Sequence, residues 1–403
     1  MMETKIFTDE LSEAAGILRN GGLVAVPTET VYGLAGNGLN EKAVKEIYEV
    51  KGRPTIKPLS IMVPGKEAMK KYCENVPPQA ERLAEKFWPG PLTIVLKSKD
   101  IVPEIVRAGG KTVGLRCPAH PLTLEALKKA GVPFAAPSAN PSGAESPKDA
   151  QKVKEYFDGK IDGIIDGGPC GIGTESTILD MSAVPYRILR QGALSKEIIE
   201  KALVEEMLII GITGGTGCGK TTALESLKEL GALVIDCDKV YHLLLENSSE
   251  MKAELQKRFP DCIIDGKVDR KRLGRFVFHS REALEELNRI THFYVKQEID
   301  ALLRKEAMSG GRLAAIDAIE LFSSGVSGLC KLTVGVIADR EKRIERIMKR
   351  DGISEEYAAS RVDAQKDNEY FRSLCSYILE NNGEQTEFES KCHIFFKELI
   401  ENE

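Results

Sequence analysis

The stretch that most constrains this 403-residue chain lies just past its middle. Residues 208–213, LIIGIT, form an unbroken apolar run. They are followed at once by Gly214, Gly215, Thr216, Gly217, Cys218, Gly219, Lys220, Thr221 and Thr222. The apolar run reads as a buried strand, and KTTALESLKEL (220–230) reads as an amphipathic helix with Gly231 where a C′ glycine belongs. The glycine segment fits G-x-x-x-x-G-K-[ST]. Glycines let backbone N–H groups turn inward around phosphate oxygens, and the helix start adds its positive dipole end. Lys220 is placed to reach the β- and γ-phosphates, and the Thr221 hydroxyl to ligate Mg²⁺. A glycine-rich turn would fit the bare pattern; the flanking strand and helix favour a phosphate cradle. Residues 207–403 therefore read as a P-loop domain with a doubly wound parallel sheet and a helical lid, using ATP with Mg²⁺.

Further features extend this reading. The next strand, ALVID, ends in Asp236-Cys237-Asp238. Carboxyl ends of strands in an open α/β sheet face the ligand crevice, so two carboxylates there can orient Mg²⁺ and accept a proton from an attacking hydroxyl. A helix N-cap is the competing reading. Arg340, Arg343, Arg346 and Arg350 recur at helical spacing opposite Ile344, Ile347 and Met348. That face reads as a lid whose arginines stabilise the transferring phosphoryl. A solvated charged face is the alternative.

Together with VDRKRLGRFVF (268–278), His292, AAIDAIELFSSG (314–325), Arg350-Asp351, SRVDAQ and ENNG (380–383), these motifs resemble the dephospho-CoA kinases over about 208–400. The resemblance implies transfer of the γ-phosphate of ATP to the ribose 3′-hydroxyl of dephospho-CoA. Asp238 and Lys220 are then the catalytic pair. Residues 214–222 with Arg343 and Arg350 hold the nucleotide, and Asp236 and His292 hold the acceptor. Three positions depart from the family pattern: Phe293 and Ile319 stand where Pro is usual, and Ser323 where Glu is usual.

The first half carries PTETVYGLA (27–35), KGRPTIKPLS (51–60), WPGPLT (88–93), VGLRCPAHP (113–121), APSANPSGAES (136–146), GIGTESTILD (171–180) and ILRQG (188–192). Each string puts hydroxyl or basic residues at a strand end or in a rigid Gly/Pro loop. Any one of them alone reads as a turn. As an ordered set they resemble the YrdC-like L-threonylcarbamoyl-AMP synthases over about 10–195, with a mixed α/β fold. That family forms an adenylate from ATP, L-threonine and bicarbonate or CO₂, and releases pyrophosphate. The product feeds tRNA modification through other proteins. Carried over, Lys51 and Arg53 are catalytic, and Thr30, Arg116 and Ser176 hold threonine. Arg53, Lys57, Ser138, Asn140, Ser146 and Arg190 hold the nucleotide. Lys57 stands where many members have Asn, and Met62 where many have His.

Two domains are expected, at 1–200 and 207–403. The formal charge of -5 falls on the second, the first being balanced. That argues against the alternative in which the first half is an RNA-binding or regulatory module beside a P-loop kinase with another nucleotide-like acceptor. Nine scattered cysteines without a CxxC pair, no signal-peptide pattern and no apolar run of about 18 residues lead to an expected cytoplasmic enzyme with reduced thiols and no membrane partner.

Overall fold

The structure is a computed structural model that describes residues 3–264 and 266–402. It divides into two units, 1–206 with 308–310, and 207–307 with 311–403.

The first unit is built on strands β1 (Lys5–Phe7), β2 (Val24–Val26), β3 (Gly33–Asn37), β4 (Ser60–Met62), β5 (Leu92–Lys97), β6 (Thr112–Arg116), β7 (Phe134–Ala135), β8 (Gly163–Ile165), β9 (Thr177–Asp180) and β10 (Arg187–Arg190). They pair in the order β1-β8-β2-β3-β7-β4-β6-β5-β9-β10. Parallel pairs (β1/β8, β2/β8, β4/β6, β5/β9) mix with antiparallel ones in a sheet flanked by helices, within the mixed α/β fold expected. Helix Ser12–Asn20 buries Ala14, Ala15 and Leu18 against Val24, Val26 and Phe134. The periodicity predicts this helix from residue 9. It begins at 12 because the Glu10 carboxylate accepts the Ser12 N–H at 2.9 Å, holding the preceding chain outside the helix. Helix Glu41–Lys51 is bounded by an Asn40 cap, whose side chain accepts from Lys42 N and Ala43 N, and by Gly52 at φ +59°. These bounds deliver Lys51 to a buried helix end.

The second unit has strands β11 (Leu208–Thr213), β12 (Leu233–Asp236), β13 (Ile263–Ile264), β14 (Lys267–Val268), β15 (Leu313–Asp317), β16 (Leu332–Ile337) and β17 (Tyr377–Glu380). Five of them form an all-parallel sheet in the order β12-β15-β11-β16-β17. A central parallel strand is buried on both faces, which is why 208–213 is apolar throughout. Leu208, Ile210 and Ile212 alternate onto one face and pack with Leu227 of helix Lys220–Glu229 and with Phe388 and Phe396 of helix Gln385–Asn402. Gly231, at φ +90°, ends the helix as expected, and Ala232 N–H returns to Leu227 O at 2.9 Å. Among the described residues no helix is long and apolar enough to cross a membrane.

One close approach in the first unit sets a limit. Register shifts between Ile188 and Arg190 in β10, and the chain then lies back on 175–177. Thr177 Oγ1 accepts the N–H groups of Gly192 (2.9 Å) and Leu194 (3.0 Å) and donates to Leu194 O (2.6 Å). A Cβ on Gly192 would collide with the Glu175 and Ser176 backbone. Gly192→Ala is therefore expected to destabilise this unit by about 1–3 kcal/mol. The chain's single tryptophan, Trp88, is buried in the same unit. Its fluorescence in a urea titration reads the expected drop in midpoint.

Candidate active sites

The first unit holds a cavity of about 140 Å³ whose wall includes Arg53, Met62, Thr93, Arg116, Ser138, Glu175, Ser176 and Arg190. Arg116, at the end of β6, is buried, with its guanidinium donating to Glu29 Oε1 at 2.7 Å and Thr30 Oγ1 at 2.8 Å. Thr30 is in turn bonded to Thr28 Oγ1 at 2.9 Å. Arg190 donates to Ser176 O (3.1 and 2.8 Å) and to Ser176 Oγ (3.2 Å), and Ser176 Oγ meets Thr93 Oγ1 at 2.8 Å. The register shift in β10 lets Arg190 reach Ser176 from the sheet edge. Arg53 donates to Lys57 O at 3.3 Å and Pro58 O at 3.0 Å.

Three guanidinium groups thus face one cavity. Burial pushes those of Arg53 and Arg190 below their usual value. For Arg190, Glu175 opposes that shift while Arg116 and Arg53 add to it. An arginine stays protonated nonetheless, so the cavity keeps an excess of positive charge suited to anions.

Some predicted residues stand elsewhere. Lys51 does not line the cavity. Its ammonium donates to the carbonyl oxygens of Ser138 and Asn140, beneath the loop that presents Ser138. The Lys57 side chain is exposed, and its carbonyl is what contributes, accepting from Arg53 and Tyr48. Asn140 donates to Pro141 O (3.0 Å) and Ala144 O (2.7 Å), shaping its own turn. Ser146 does not line the cavity and instead donates to Glu175 Oε1 at 2.7 Å. Trp88 is core, its Nε1–H donating to Leu92 O at 2.7 Å. Glu29 and Glu175, to which the motifs assign no role, are both built into the site. Each lies between two hydroxyl residues, Glu29 between Thr28 and Thr30 and Glu175 between Thr174 and Ser176.

In the second unit, the glycines of the 214–222 segment are required by close approach. Gly214, Gly217 and Gly219 have φ of +144°, +81° and +101°. A Cβ on Gly214 would overlap Val336 O, and one on Gly215 would overlap the Arg343 guanidinium. Arg343 is buried; it donates to Thr216 O at 3.0 Å and to Gln365 Oε1 at 2.7 Å. Gln365 itself bonds Thr216 N–H and Thr216 Oγ1, both at 2.8 Å. Arg343 therefore shapes the loop from behind, where a nucleotide contact was expected of it. The Cys218 side chain is likewise fully enclosed, and burial pushes its thiol up. Lys220 Nζ donates to Gly214 O at 2.9 Å.

Beside the loop, a cleft is lined by Thr221, Thr222, Lys342, Arg346, Lys349, Arg350 and Asn381. Arg346 donates to Asn381 O and Oδ1 (3.0 and 3.1 Å), and Asn381 Nδ2 donates to Cys218 O at 2.9 Å. Arg350 borders this cleft while paired with Asp351 at 2.7 Å.

A second cavity, about 240 Å³, is lined by Cys237, Asp238, Tyr241, Thr291, His292, Ile319 and Glu320. Asp238 and His292 both line it. Burial lowers the His292 pKa, and Glu320 opposes that shift. Asp236 is committed elsewhere: it caps the following helix by accepting Lys239 N–H at 3.0 Å and pairs with Lys239 Nζ at 3.0 Å. The cap reading of this motif thus falls to Asp236, leaving Asp238 open to the cavity.

The parallel register sets Asp236 beside Asp317. Asp317 Oδ1 is buried without a hydrogen-bond partner. Burial raises its carboxyl to about 6; Lys220 opposes this, and Asp236 and Asp238 add to it. Asp317 is a site residue to which the motif pattern assigns no role. Its place at the carboxyl end of a strand adjoining β11 is the signal that finds it. Phe293, the departure beside His292, is more than half exposed. Among the described residues, no group of three or more His, Cys, Asp or Glu side chains is arranged to hold a metal by itself.

Residues 16–192 match the family model of the Sua5, YciO and YrdC proteins, described as telomere recombination, and residues 208–387 match that of dephospho-CoA kinase. A threonylcarbamoyl-AMP synthase of Pyrococcus abyssi is 50% identical over 192 residues, covering 48% of this chain and 56% of that protein. The chain thus spans little more than half of that relative's length. A Methanocaldococcus jannaschii protein, provisionally named for the same activity, is 39% identical over 175 residues, covering 43% of this chain and 82% of that protein. A dephospho-CoA kinase of Dehalococcoides mccartyi is 35% identical over 198 residues, covering 48% of this chain and 99% of that protein. The chain belongs to two families in tandem, the Sua5–YciO–YrdC family in its first unit and the dephospho-CoA kinase family in its second.

Proposed function

We propose that this chain is a bifunctional enzyme using ATP in two ways. The first unit makes L-threonylcarbamoyl adenylate from L-threonine, bicarbonate or CO₂, and ATP. The second phosphorylates the ribose 3′-hydroxyl of dephospho-CoA. The observation that carries the first assignment is the set of three guanidinium groups, Arg53, Arg116 and Arg190, around one cavity. The one that carries the second is a cavity holding Asp238 and His292 in the unit that carries the P-loop. The names of the relatives support both readings.

In the first reaction the threonine amine takes up CO₂ as a carbamate. A carbamate oxygen attacks the α-phosphorus, and the bond to the β-phosphate oxygen breaks to release pyrophosphate. Carboxylate, carbamate and phosphates meet in one pocket, so orientation and fixed positive charge matter more than a strong base. Arg116, held by Glu29 against Thr30, suits the threonine carboxylate, with Ser176 beside it. Arg53, Arg190 and Ser138 suit the phosphates. Lys51 acts as a positioning residue through the Ser138 loop. Product delivery to tRNA through other proteins, and a cytoplasmic setting, belong to the same proposal.

In the second reaction the acceptor oxygen attacks the γ-phosphorus, ADP leaves, and Asp238 takes the hydroxyl proton. Lys220 and the loop N–H groups hold the phosphates. The residues fit Mg²⁺ as well. The buried, unpartnered Asp317 oxygen and the Thr221 hydroxyl are the donors a magnesium–nucleotide complex needs, since Mg²⁺ takes one or two protein ligands plus phosphate oxygens. When bound, Mg²⁺ neutralises charge on the phosphates.

Mass spectrometry of products from the purified chain tests the assignment. Threonylcarbamoyl-AMP is expected with L-threonine and bicarbonate, and CoA with dephospho-CoA. Lys220→Ala should remove only CoA, by 100-fold or more, on the order of a lost electrostatic contact. Arg53→Ala should depress only the adenylate. One variant losing both products would refute separate sites.

Asp317 gives a pH prediction. Its folded pKa, about 6, lies above the ordinary 3.8. The stability that its protonated form contributes is present below pH 4 and lost as pH rises through 6, so the ionised carboxylate costs up to about 3 kcal/mol at pH 8. Asp317→Asn should therefore slow hydrogen exchange in β11 and β15 at pH 8, show little effect at pH 4, and abolish CoA formation. Faster exchange at pH 8 would contradict this account.

A further inference from the structure

Glu320 is a carboxylate of the acceptor cavity that the proposed reaction does not use. The backbone fixes its place. Thr213 Oγ1, at the last residue of β11, donates to Ile319 O at 3.2 Å, and Ala318 N–H donates to Ile212 O at 3.1 Å. Glu320 is therefore tied, one residue away, to the root of the phosphate loop. Its side chain is steered too, because Ser323 Oγ donates to Glu320 Oε2. Among the described residues Oε1 has no hydrogen-bond partner. The departure at Ser323 thus has a counterpart three residues earlier: a serine holds in place a carboxylate that lines the cavity with Asp238 and His292. Glu320 also opposes the effect of burial on His292.

A ribose offers two neighbouring hydroxyls. An ionised carboxylate is acceptor-only, and its hydrogen bonds from hydroxyls are short and charge-assisted. We infer that Glu320 is a specificity-determining residue of the kinase site, accepting a hydrogen bond from the acceptor's 2′-hydroxyl. That contact turns the adjacent 3′-oxygen toward Asp238. Ser323 is the positioning residue that holds the Glu320 rotamer. The inference rests on the dephospho-CoA kinase reading above.

The test compares kcat/KM for dephospho-CoA and for its analogue lacking the 2′-hydroxyl, in the wild-type chain, Glu320→Ala and Ser323→Ala. The wild type should favour the ribose acceptor by about tenfold or more, the scale of one hydrogen bond to a charged group. Glu320→Ala should bring the ratio near one by losing rate on the ribose acceptor alone, with KM for ATP unchanged. Ser323→Ala should fall between. A wild-type ratio near one, or an unchanged ratio in Glu320→Ala, overturns the inference while leaving the kinase reading standing. If the wild type phosphorylates neither acceptor, the kinase reading itself fails and the inference falls with it.

Discussion

A cation buried against backbone carbonyl oxygens shapes the site loop in each unit. In the first, the Lys51 ammonium draws in the carbonyls of Ser138 and Asn140. In the second, the Arg343 guanidinium draws in the carbonyl of Thr216. In the second unit Gln365 engages the Thr216 N–H and hydroxyl from the same side, so it is the rest of that loop that can face an anion. The arrangement has a cost. Burial, with Arg53 adding to it, pushes the Lys51 ammonium down to about 7. A buried charge is tolerated only where its hydrogen bonds are satisfied. Lys51 meets that condition because its helix ends at Gly52 and because Ser142 N–H returns to Lys51 O at 2.8 Å, closing the loop on the helix end.

With the loops fixed, the two sites differ in electrostatic character. The first gathers Arg53, Arg116 and Arg190 with two partnered carboxylates, Glu29 and Glu175, so positive charge is in excess. The second sets Asp236 and Asp317 at neighbouring strand ends with Asp238 in the helix that follows, and Lys220 opposes the rise of the Asp317 carboxyl. The first arrangement suits a reaction in which several anions must be brought together. The second suits one in which a hydroxyl must lose a proton beside a metal-bound phosphate.

How much of this was legible in the sequence depends on the range of the interaction. The strand 208–213, the helix 41–51 and the stop at Gly231 follow from local pattern and capping, and the structure reproduces them. Asp238 was legible from its place at a strand end, whereas Arg116, Ser176 and His292 followed from the family resemblances. What neither revealed is the direction in which each side chain points. Lys51 and Arg343 belong to the right motifs but face the protein, because their partners lie 87 and 127 residues away, and the Cys218 side chain is enclosed in the core of its unit. Gln365, 149 residues from Thr216, and Glu29, 87 from Arg116, became site residues only once the strands were placed. Lys57 lies in a motif whose backbone matters more than its side chain.

The central claim is that one chain opens ATP at two different phosphorus atoms. Phosphorus-31 NMR of the purified chain turning over ATP tests it most directly. With L-threonine and bicarbonate, the account predicts pyrophosphate together with a new acyl phosphate ester of AMP, and no ADP. With dephospho-CoA, it predicts ADP together with a new ribose 3′-phosphate monoester, and no pyrophosphate. The same cleavage pattern under both conditions, or ATP left intact under either, would contradict it.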